Sequence, residues 1–412
     1  MTKVLAGCRV IEHGIFITGP YTGMLLADLG AEVIKVERPE GGDPFRNFQG
    51  GLYGPQFQAY NRNKKSIALD LKRDDDRAVF RQLIESADVY IQNFRPGIAE
   101  ELGAGVKALR KLNPRLIYCA ISGFGPDGPY AKRPTYDTVA QAMSGWLSMF
   151  VQPGDPRVAG PAISDTVTGL YAAIGILGAL HERQKTGRGR LVEVSMLEAT
   201  MNFASEPIHT YFVNGSVAGP RDRARIAQSY AFACADEKLL VLHLSSLEKF
   251  WKGLLAVVER PELAADPRFA TRMDRIRNHE ALNEILKPIF AARPRTEWLD
   301  LLEKADVPHS PILKIDEVIA DPQVKHLGIE RRMVHPTQGP VRTMQSPIVY
   351  DADRSGIAVS PSPVLDEHGA AIRKALARSA KKTKTATKKS TKNPAAKTSR
   401  STTKKSKKKS KR

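Results

Sequence analysis

Asp165 is the residue of this chain whose position most directly suggests chemistry. It opens an apolar stretch rich in small residues, 160–175, whose composition predicts a helix. A carboxylate at a helix start can cap free backbone N–H groups, and by pattern alone this is the commoner role. The same N–H groups and the helix dipole favour the ionised carboxylate, which could then act as a nucleophile. The sequence leaves both roles open.

Polar side chains also follow two predicted strands. Arg38 stands at the end of one, and Asn93, Phe94 and Arg95 follow another. In open α/β sheets, ligands bind in the crevice at the carboxyl ends of the strands. An amide, an aromatic ring and guanidinium groups there could bind a ligand that carries phosphates and adenine. The alternatives are a solvated strand end at Arg38 and a plain turn after Arg95.

Several common catalytic patterns are missing from the chain. It contains no GxSxG, HExxH, P-loop or paired CxxC sequence, and its nine histidines do not fall at metal-ligand spacing. We therefore expect no metal. The first βαβ unit resembles half of a nucleotide-binding fold, but its loop 14–23 does not fit the G-x-G-x-x-G fingerprint. This departure argues against a nicotinamide cofactor.

Strands alternate with helices through the first part of the chain, which is the pattern of a doubly wound parallel α/β sheet. The predicted strands are 8–13, 32–38, 66–71, 88–93, 116–122 and 191–195. Residues 214–229 are interpreted as a linker or ordered loop. A second, smaller unit follows, with a strand at 238–244 and helices near 247–258, 278–292 and 295–305.

The positive charge of the chain is divided unevenly. Of the net +19, the segment 379–412 contributes 13 lysines, two arginines and no acidic residue. This segment, which we call the tail, is too polar to fold alone and is predicted to be disordered. It could bind polyanions such as DNA without sequence specificity, or be a solvated extension with no role in catalysis. The rest of the chain is nearly balanced in charge.

Three features bear on location. The longest apolar run, 170–180, is too short to span a bilayer, and the N-terminus lacks a signal pattern. The three cysteines have no CxxC spacing and are interpreted as reduced thiols. We expect a cytoplasmic protein with no membrane partner.

Five segments of the sequence together resemble the family III CoA-transferases, the group that includes formyl-CoA and carnitine CoA-transferases. The resemblance runs from about Leu5 to about Pro363, which is nearly all of the chain before the tail. The segments are 19–20 with 29–37; 61–72; 93–97; 122–129 with 136–137; and Asp165 with 187–189.

The resemblance implies an interlocked homodimer of ring-shaped subunits. Each subunit would have a Rossmann-like large domain, built from both ends of the chain, and a smaller α+β domain. The implied divisions are 1–200 for the first part of the large domain, 201–221 for a linker, 222–310 for the small domain, 311–378 for a return segment that completes the large domain, and 379–412 for the disordered tail.

The resemblance also implies a mechanism. Asp165 would attack an acyl-CoA to form an acyl–aspartyl anhydride and then an enzyme–CoA thioester, from which a small carboxylic acid takes the CoA. No cofactor beyond CoA itself, as substrate, would be needed. Asp137 and Tyr136 would support Asp165. The implied CoA contacts are Ile17, Thr18, Arg38, Leu69, Lys72, Asn93, Phe94 and Arg95.

The chain departs from formyl-CoA transferase at several positions. Ile15 and Ile17 stand where that enzyme has His and Gln, and Glu101 replaces an arginine. The segment 244–251, with Ser245-Ser246, contains no glycine where that enzyme has a mobile glycine-rich loop. These differences argue against formate and oxalate. They leave the acids open, with mono- or dicarboxylic acids such as succinate as the default.

Two other functions compete with CoA transfer. The α-methylacyl-CoA racemases share the fold and pair the same aspartate with a histidine for proton transfer at the α-carbon. Here the matching position is Tyr136, and a phenol, with an ordinary pKa of about 10, is a poor proton acceptor at neutral pH. The alternative from another class is a DNA-associated protein that acts through its tail.

Overall fold

A parallel sheet of six strands organises the first half of the chain. The computed structural model describes residues 3–152, 154–353 and 359–390, with side chains as far as residue 379. The strand order is β3-β2-β1-β4-β5-β6. The strands are β1 (Arg9–His13), β2 (Glu32–Glu37), β3 (Lys64–Ala68), β4 (Val89–Gln92), β5 (Ile117–Ser122) and β6 (Leu191–Ser195). This confirms the predicted doubly wound sheet, whose order reverses between β1 and β4 and so opens a crevice at their carboxyl ends.

Helices cover both faces of this sheet. The helices of this part of the chain are α1 (Thr18–Asp28), α2 (Pro55–Asn61), α3 (Asp74–Glu85), α4 (Ile98–Glu101), α5 (Val106–Leu112), α6 (Asp137–Met143), α7 (Ile163–Thr186), α8 (Met196–Phe203) and α9 (Ser205–Asn214), of which α1 and α7 pack on one face of the sheet and α3 and α5 on the other. Successive strand residues point to opposite faces, so Val10 packs towards α1 and α7 while Ile11 packs towards α3 and α5. Burial on both faces fits the sequence of β4, which is Val-Tyr-Ile-Gln and shows no alternation, whereas β1, β2 and β3 contain buried charged residues.

Helix α7 carries Asp165 and lies against the sheet. Its 24 residues, with a mean hydropathy of 1.5 over 18 of them, are long and apolar enough to cross a bilayer by those measures alone. The helix extends beyond both ends of the apolar run 170–180. Ala172 and Ile176 are fully buried against the sheet, as expected for a core helix. Gly187 ends the helix with a φ of 66°, in the left-handed region that glycine adopts readily.

The second unit has an antiparallel sheet of three strands in the order β7-β8-β9. Its elements are α10 (Asp222–Ala227), β7 (Ser229–Ala233), β8 (Leu239–His243), α11 (Glu248–Val257), α12 (Arg272–Arg277), α13 (His279–Phe290), α14 (Arg295–Lys304) and β9 (His309–Pro311). Trp251, Phe290 and Trp298 lie in a separate hydrophobic core under this sheet. The unit therefore has its own core, distinct from those on the two faces of the large sheet.

Both segments that the sequence indicated as linkers or loops contain helices. The segment 201–221 contains the end of α8 and all of α9, and 214–229, predicted as a loop, contains α10. Gly215 ends α9 at a φ of 73°, in the left-handed region, and the division of the chain into domains and a linker stays a prediction.

The C-terminal part returns to the large sheet. It contains α15 (Ile315–Ala320), α16 (Pro322–Leu327), β10 (Glu330–His335), β11 (Gly339–Met344) and α17 (Gly369–Ser390). Ile372 of α17 is buried in the core beneath β3, and Arg373 lies 3.1 Å from Asp76 of α3. The predicted disorder of the tail is wrong for residues 379–390, which continue α17 because lysine and alanine are good helix formers. Residues 391–412 lie outside the described residues.

Candidate active site at the crevice between β1 and β4

The loop between β1 and α1 forms the centre of the crevice and is held by Asn93. The Asn93 Nδ2 group donates to the Ile15 carbonyl and to Thr18 Oγ1, both at 2.8 Å, and Oδ1 accepts from the Ile15 N–H at 2.9 Å. Both Nδ2 hydrogens are thus used within the protein. In this structure the donors of the amide position the loop, and a contact of Asn93 with CoA stays a prediction.

Asp165 is not the N-cap of α7, so the interpretation of this carboxylate as a helix cap was wrong. Residue Ala162 precedes the helix and Asp165 is its third residue. The cap comes from Asp137 at the start of α6, whose Oδ1 accepts from the N–H groups of Ser164 at 2.8 Å and Asp165 at 3.2 Å. In the described part of the chain, no hydrogen bond or ion pair engages the Asp165 carboxylate. This carboxylate is therefore free for chemistry.

The electrostatics of Asp165 differ from the sequence expectation. Burial, and secondly the negative charge of Asp137, raise the pKa of Asp165 to about 7. These two effects outweigh the helix dipole, which by itself would favour the ionised form. At neutral pH the carboxylate is thus close to its midpoint of ionisation, and it is poorly solvated when charged. Both properties suit a group that forms and breaks covalent bonds.

Asp165 lines a cavity of about 290 Å³ that we call the Asp165 cavity. Other predicted site residues that line it are Ile17, Thr18, Asn93, Phe94, Arg95 and Tyr136. Asp137 does not line this cavity, and it contacts Asp165 through the backbone N–H at the start of α7. Phe16 and Arg133 also line it and were not predicted. No sequence signal marks Phe16, whose ring packs on Tyr136 at a centroid distance of 5.5 Å.

The remaining predicted CoA contacts line a second cavity of about 640 Å³, the Arg38 cavity. Arg38, Leu69 and Lys72 lie in its wall, at the carboxyl ends of β2 and β3. Arg38 Nε donates to the Gly42 carbonyl at 2.9 Å, which fixes the guanidinium at the rim. Both basic side chains are exposed and available to an anionic ligand.

The two cavities adjoin, because Ile15 and Phe94 line both. Phe94 packs edge-on against His13, with ring centroids 4.7 Å apart. Burial, and then the nearby positive charge of Lys35, lower the pKa of His13 to about 4, so it adds no charge at this junction at neutral pH. An elongated ligand could therefore pass from the basic Arg38 cavity over Phe94 to Asp165.

The surroundings of Asp165 bear on a histidine partner, on the segment 244–251 and on metal ligands. Among the residues that the structure describes, no histidine lines the Asp165 cavity, so the proton-transfer partner of the racemase reading is not present there. The segment 244–251 does not reach that cavity in the described chain. Within the described residues, no three His, Cys, Asp or Glu side chains are grouped so that they could hold a metal ion.

Comparisons with known proteins define the class: this is an enzyme that transfers CoA. The chain belongs to CoA-transferase family III, whose sequence model matches residues 5–369. It is 37% identical to the acetyl-CoA:oxalate CoA-transferase of Acetobacter aceti, over 91% of this chain and 96% of that protein. It is 33% identical to the succinyl-CoA:glutarate CoA-transferase of Mus musculus, over 91% and 87% respectively.

A solved structure has the same fold. The crystal structure of a CAIB/BAIF family protein from Brucella suis superposes with a TM-score of 0.79 and is 36% identical, covering 90% of this chain and 99% of that one. The predicted family, the CoA-transferase activity and the α/β fold are therefore confirmed. The roles of individual residues are inferred from the geometry.

Proposed function

We propose that Asp165 is the nucleophile of a CoA transfer that proceeds through two covalent intermediates. Its carboxylate attacks the thioester carbonyl of the donor, and CoA leaves as a thiolate, which gives an acyl–aspartyl anhydride. The thiolate then attacks the aspartyl carbonyl, which releases the donor acid and leaves a thioester between Asp165 and CoA. The acceptor acid reverses both steps and departs as its CoA ester, which restores the carboxylate.

The observation that carries this proposal is the unpaired Asp165 carboxylate at the end of two adjoining cavities. The first cavity has basic residues in its wall, and the aromatic ring of Phe94 lies where the two meet. Arg38 and Lys72 supply positive charge for the CoA phosphates in one cavity. The pantetheine arm would cross Phe94 and bring the sulfur to Asp165. Ile17 and Thr18 lie at the N-terminus of α1 and line the Asp165 cavity. The free N–H groups at this helix start favour the negative charge that develops on the thioester oxygen.

The acids are proposed to be small dicarboxylic acids. Arg95 and Arg133 line the Asp165 cavity, and within the described chain neither has an ion-pair partner. One guanidinium could pair with the carboxylate of the acid that does not react. The relatives' names, which contain oxalate and glutarate, point to the same class. Oxalate, against which the sequence argued, therefore belongs in the substrate panel beside succinate and glutarate.

We propose the interlocked homodimer as the working form. Apolar side chains of α7 and α9 are exposed in the single chain, with Ile174 at 63%, Phe212 at 72% and Val213 at 82%. Patches of this kind are typical of surfaces that another chain covers. The mass of the protein in solution is the measurement that decides this point. Cytoplasmic location, and polyanion binding by the tail, stay predictions.

Trapping the intermediate tests the proposed function. The wild-type protein is incubated with acetyl-, succinyl-, glutaryl- and oxalyl-CoA, quenched with hydroxylamine or borohydride, and digested for mass spectrometry. We expect modification of the peptide that carries Asp165 with at least one donor. Modification at another carboxylate would overturn the assignment. If α-protons of the acyl-CoA exchange with deuterated solvent while Asp165 stays unmodified, the racemase reading replaces it.

Removing the positive charge of the Arg38 cavity should weaken CoA binding more than chemistry. In Arg38→Ala/Lys72→Ala we expect the KM for acyl-CoA to rise roughly 10- to 100-fold, because two charge-assisted contacts to phosphate are lost. The kcat should change by less than about threefold, since these contacts exist before and during the reaction. The matched control is Arg81→Ala, an exposed arginine of α3 that lines neither cavity. Equal effects in the control would contradict the placement of CoA.

A further inference from the structure

Four charged side chains are packed together beneath the loop of residues 14–17 and form what we call the buried ion cluster. They are Glu12, Lys35, Asp43 and Lys64, each with a side-chain exposure of 0%. Lys35 Nζ lies 2.7 Å from Glu12 Oε1 and 2.9 Å from Asp43 Oδ2, and Lys64 Nζ lies 2.6 Å from Glu12 Oε2. Two positive and two negative charges balance. Burying them carries a desolvation cost, so such a cluster is weak evidence of a stabilising role alone.

Members of the cluster bind the backbone of the loop directly. Lys35 Nζ donates to the Gly14 carbonyl at 2.8 Å. Asp43 Oδ1 accepts from the Phe16 N–H at 3.1 Å. The Asn93 side chain holds the residue between them, so three successive loop residues are each fixed by a buried or half-buried polar side chain. The loop's position is therefore set by groups that are remote in sequence.

The same cluster also binds the helix that follows the loop. Lys64 Nζ donates to the Pro20 carbonyl of α1 at 2.7 Å, so the loop and the start of α1 are held by one connected set of charges. Gly23, one turn further along α1, faces Glu12, whose Oε2 would lie 2.3 Å from any Cβ at that position. The absence of a side chain at Gly23 lets α1 approach the cluster closely.

The loop needs this support because its conformation is strained. Phe16 has a φ of 59°, in the left-handed region that a bulky side chain rarely adopts. A residue in that region persists only where the surroundings hold it. Phe16 lines the Asp165 cavity, and its neighbour Ile15 lines both cavities. A shift of the loop would therefore move the wall along which the thioester reaches Asp165.

We propose that the buried ion cluster is a positioning device for CoA transfer, and that Lys35 and Asp43 are its positioning residues. They fix the loop so that the thioester carbonyl lies within reach of the Asp165 carboxylate. Their buried side chains act through the loop and do not exchange atoms with the substrate, although Asp43 also lines the Arg38 cavity. This inference rests on the proposed function, because it concerns the alignment of donor and nucleophile. A misplacement of about 1 Å at such a site can cost roughly 100-fold in rate.

A pair of charge-neutral double variants tests the proposal. Both carry Lys35→Met, and position 43 is changed to asparagine in one and to alanine in the other. The two proteins have the same charge and differ in whether an oxygen remains to accept the Phe16 N–H, and with it the Phe45 N–H that the same Oδ1 binds at 2.9 Å. The control, Asp28→Asn/Arg62→Met, removes another buried ion pair that lines neither cavity.

The first readout is the single-turnover rate at which Asp165 is acylated. We expect Lys35→Met/Asp43→Ala to lose roughly 100-fold in that rate, with KM within about threefold, and Lys35→Met/Asp43→Asn to lose less than about tenfold. The control should stay within about twofold even if it melts at a lower temperature. Equal rates in the two Lys35→Met variants, or an equal loss in the control, would overturn the proposal.

The second readout needs no substrate. Hydrogen exchange of the Phe16 amide should be at least about tenfold faster with alanine than with asparagine at position 43, and unchanged in the control. An unchanged rate between the two variants would mean that the cluster does not hold the loop. If none of the acyl-CoA donors acylates Asp165 in the wild-type protein, the proposed function fails. The hydrogen-exchange rates of the Phe16 amide still decide, independently, whether the cluster fixes the loop.

Discussion

Asp165→Ala and Asp165→Asn are each expected to lower the rate of CoA transfer at least about 10⁴-fold. Removing a group that forms the covalent intermediate leaves only binding to accelerate the reaction. The rate is measured by following formation of the new CoA ester from acyl-CoA and a free acid. Exchange that persists near the wild-type rate in Asp165→Asn would remove this residue from the mechanism.

The same variants provide their own control for folding. The pKa of Asp165 is raised from an unfolded value near 3.8 to about 7, so the ionised carboxylate opposes folding. That destabilisation is complete above about pH 7 and disappears as the pH falls below the unfolded value of 3.8. Asp165→Asn should therefore melt at a higher temperature than the wild type at pH 8, and the difference should shrink as the pH falls towards 4. A lower melting temperature at pH 8 would show that the carboxylate is stabilising.

Asp137 is also expected to have a large effect, and its two functions can be separated by substitution. Asp137→Ala removes the oxygen that accepts two N–H groups of α7. Loss of a helix cap of this kind costs about 1–2 kcal/mol in free energy of unfolding. Because Asp165 lies in the turn that loses its cap, we expect CoA transfer to fall roughly 10- to 100-fold as well.

Asp137→Asn should keep the cap and remove the charge. The Gln141 side chain, which now donates to Asp137 Oδ2 at 2.5 Å, can turn its oxygen towards the new amide. Without the neighbouring charge the pKa of Asp165 falls, so the acidic limb of kcat/KM, near pH 7 in the wild type, should move to lower pH. A limb that stays in place would mean that burial alone raises this pKa, or that another group controls the profile.

Local patterns were sufficient for the large-scale architecture. The strands at 8–13, 88–93 and 191–195 were predicted to within a residue or so of β1, β4 and β6, because each contains β-branched apolar residues that favour extended structure. The crevice followed from the parallel order of these strands. Asp165 could be selected because it is a carboxylate at the start of an apolar helix, a feature visible within one segment.

The chemistry of that carboxylate depended on contacts between distant residues. Asp137 lies 28 positions before Asp165, and the pattern around Asp165 could not reveal that another side chain already caps its helix. The sequence argument expected the dipole to favour the ionised form, whereas burial and a like charge raise the pKa to about 7. Burial and charge proximity are properties of the folded chain, so no local pattern carries them.

The sequence by itself determined the class of fold and the family, and it selected the residue that we propose as the nucleophile. Only the tertiary structure decided how that residue is used: which cavity it faces, what sets its ionisation and what holds the opposite wall. The Lys35 and Lys64 side chains resemble ordinary strand charges in sequence, yet folding places both against Glu12 with no solvent contact. Periodicity is encoded over a few residues, whereas alignment and electrostatics arise when strands and loops far apart in the chain are packed together.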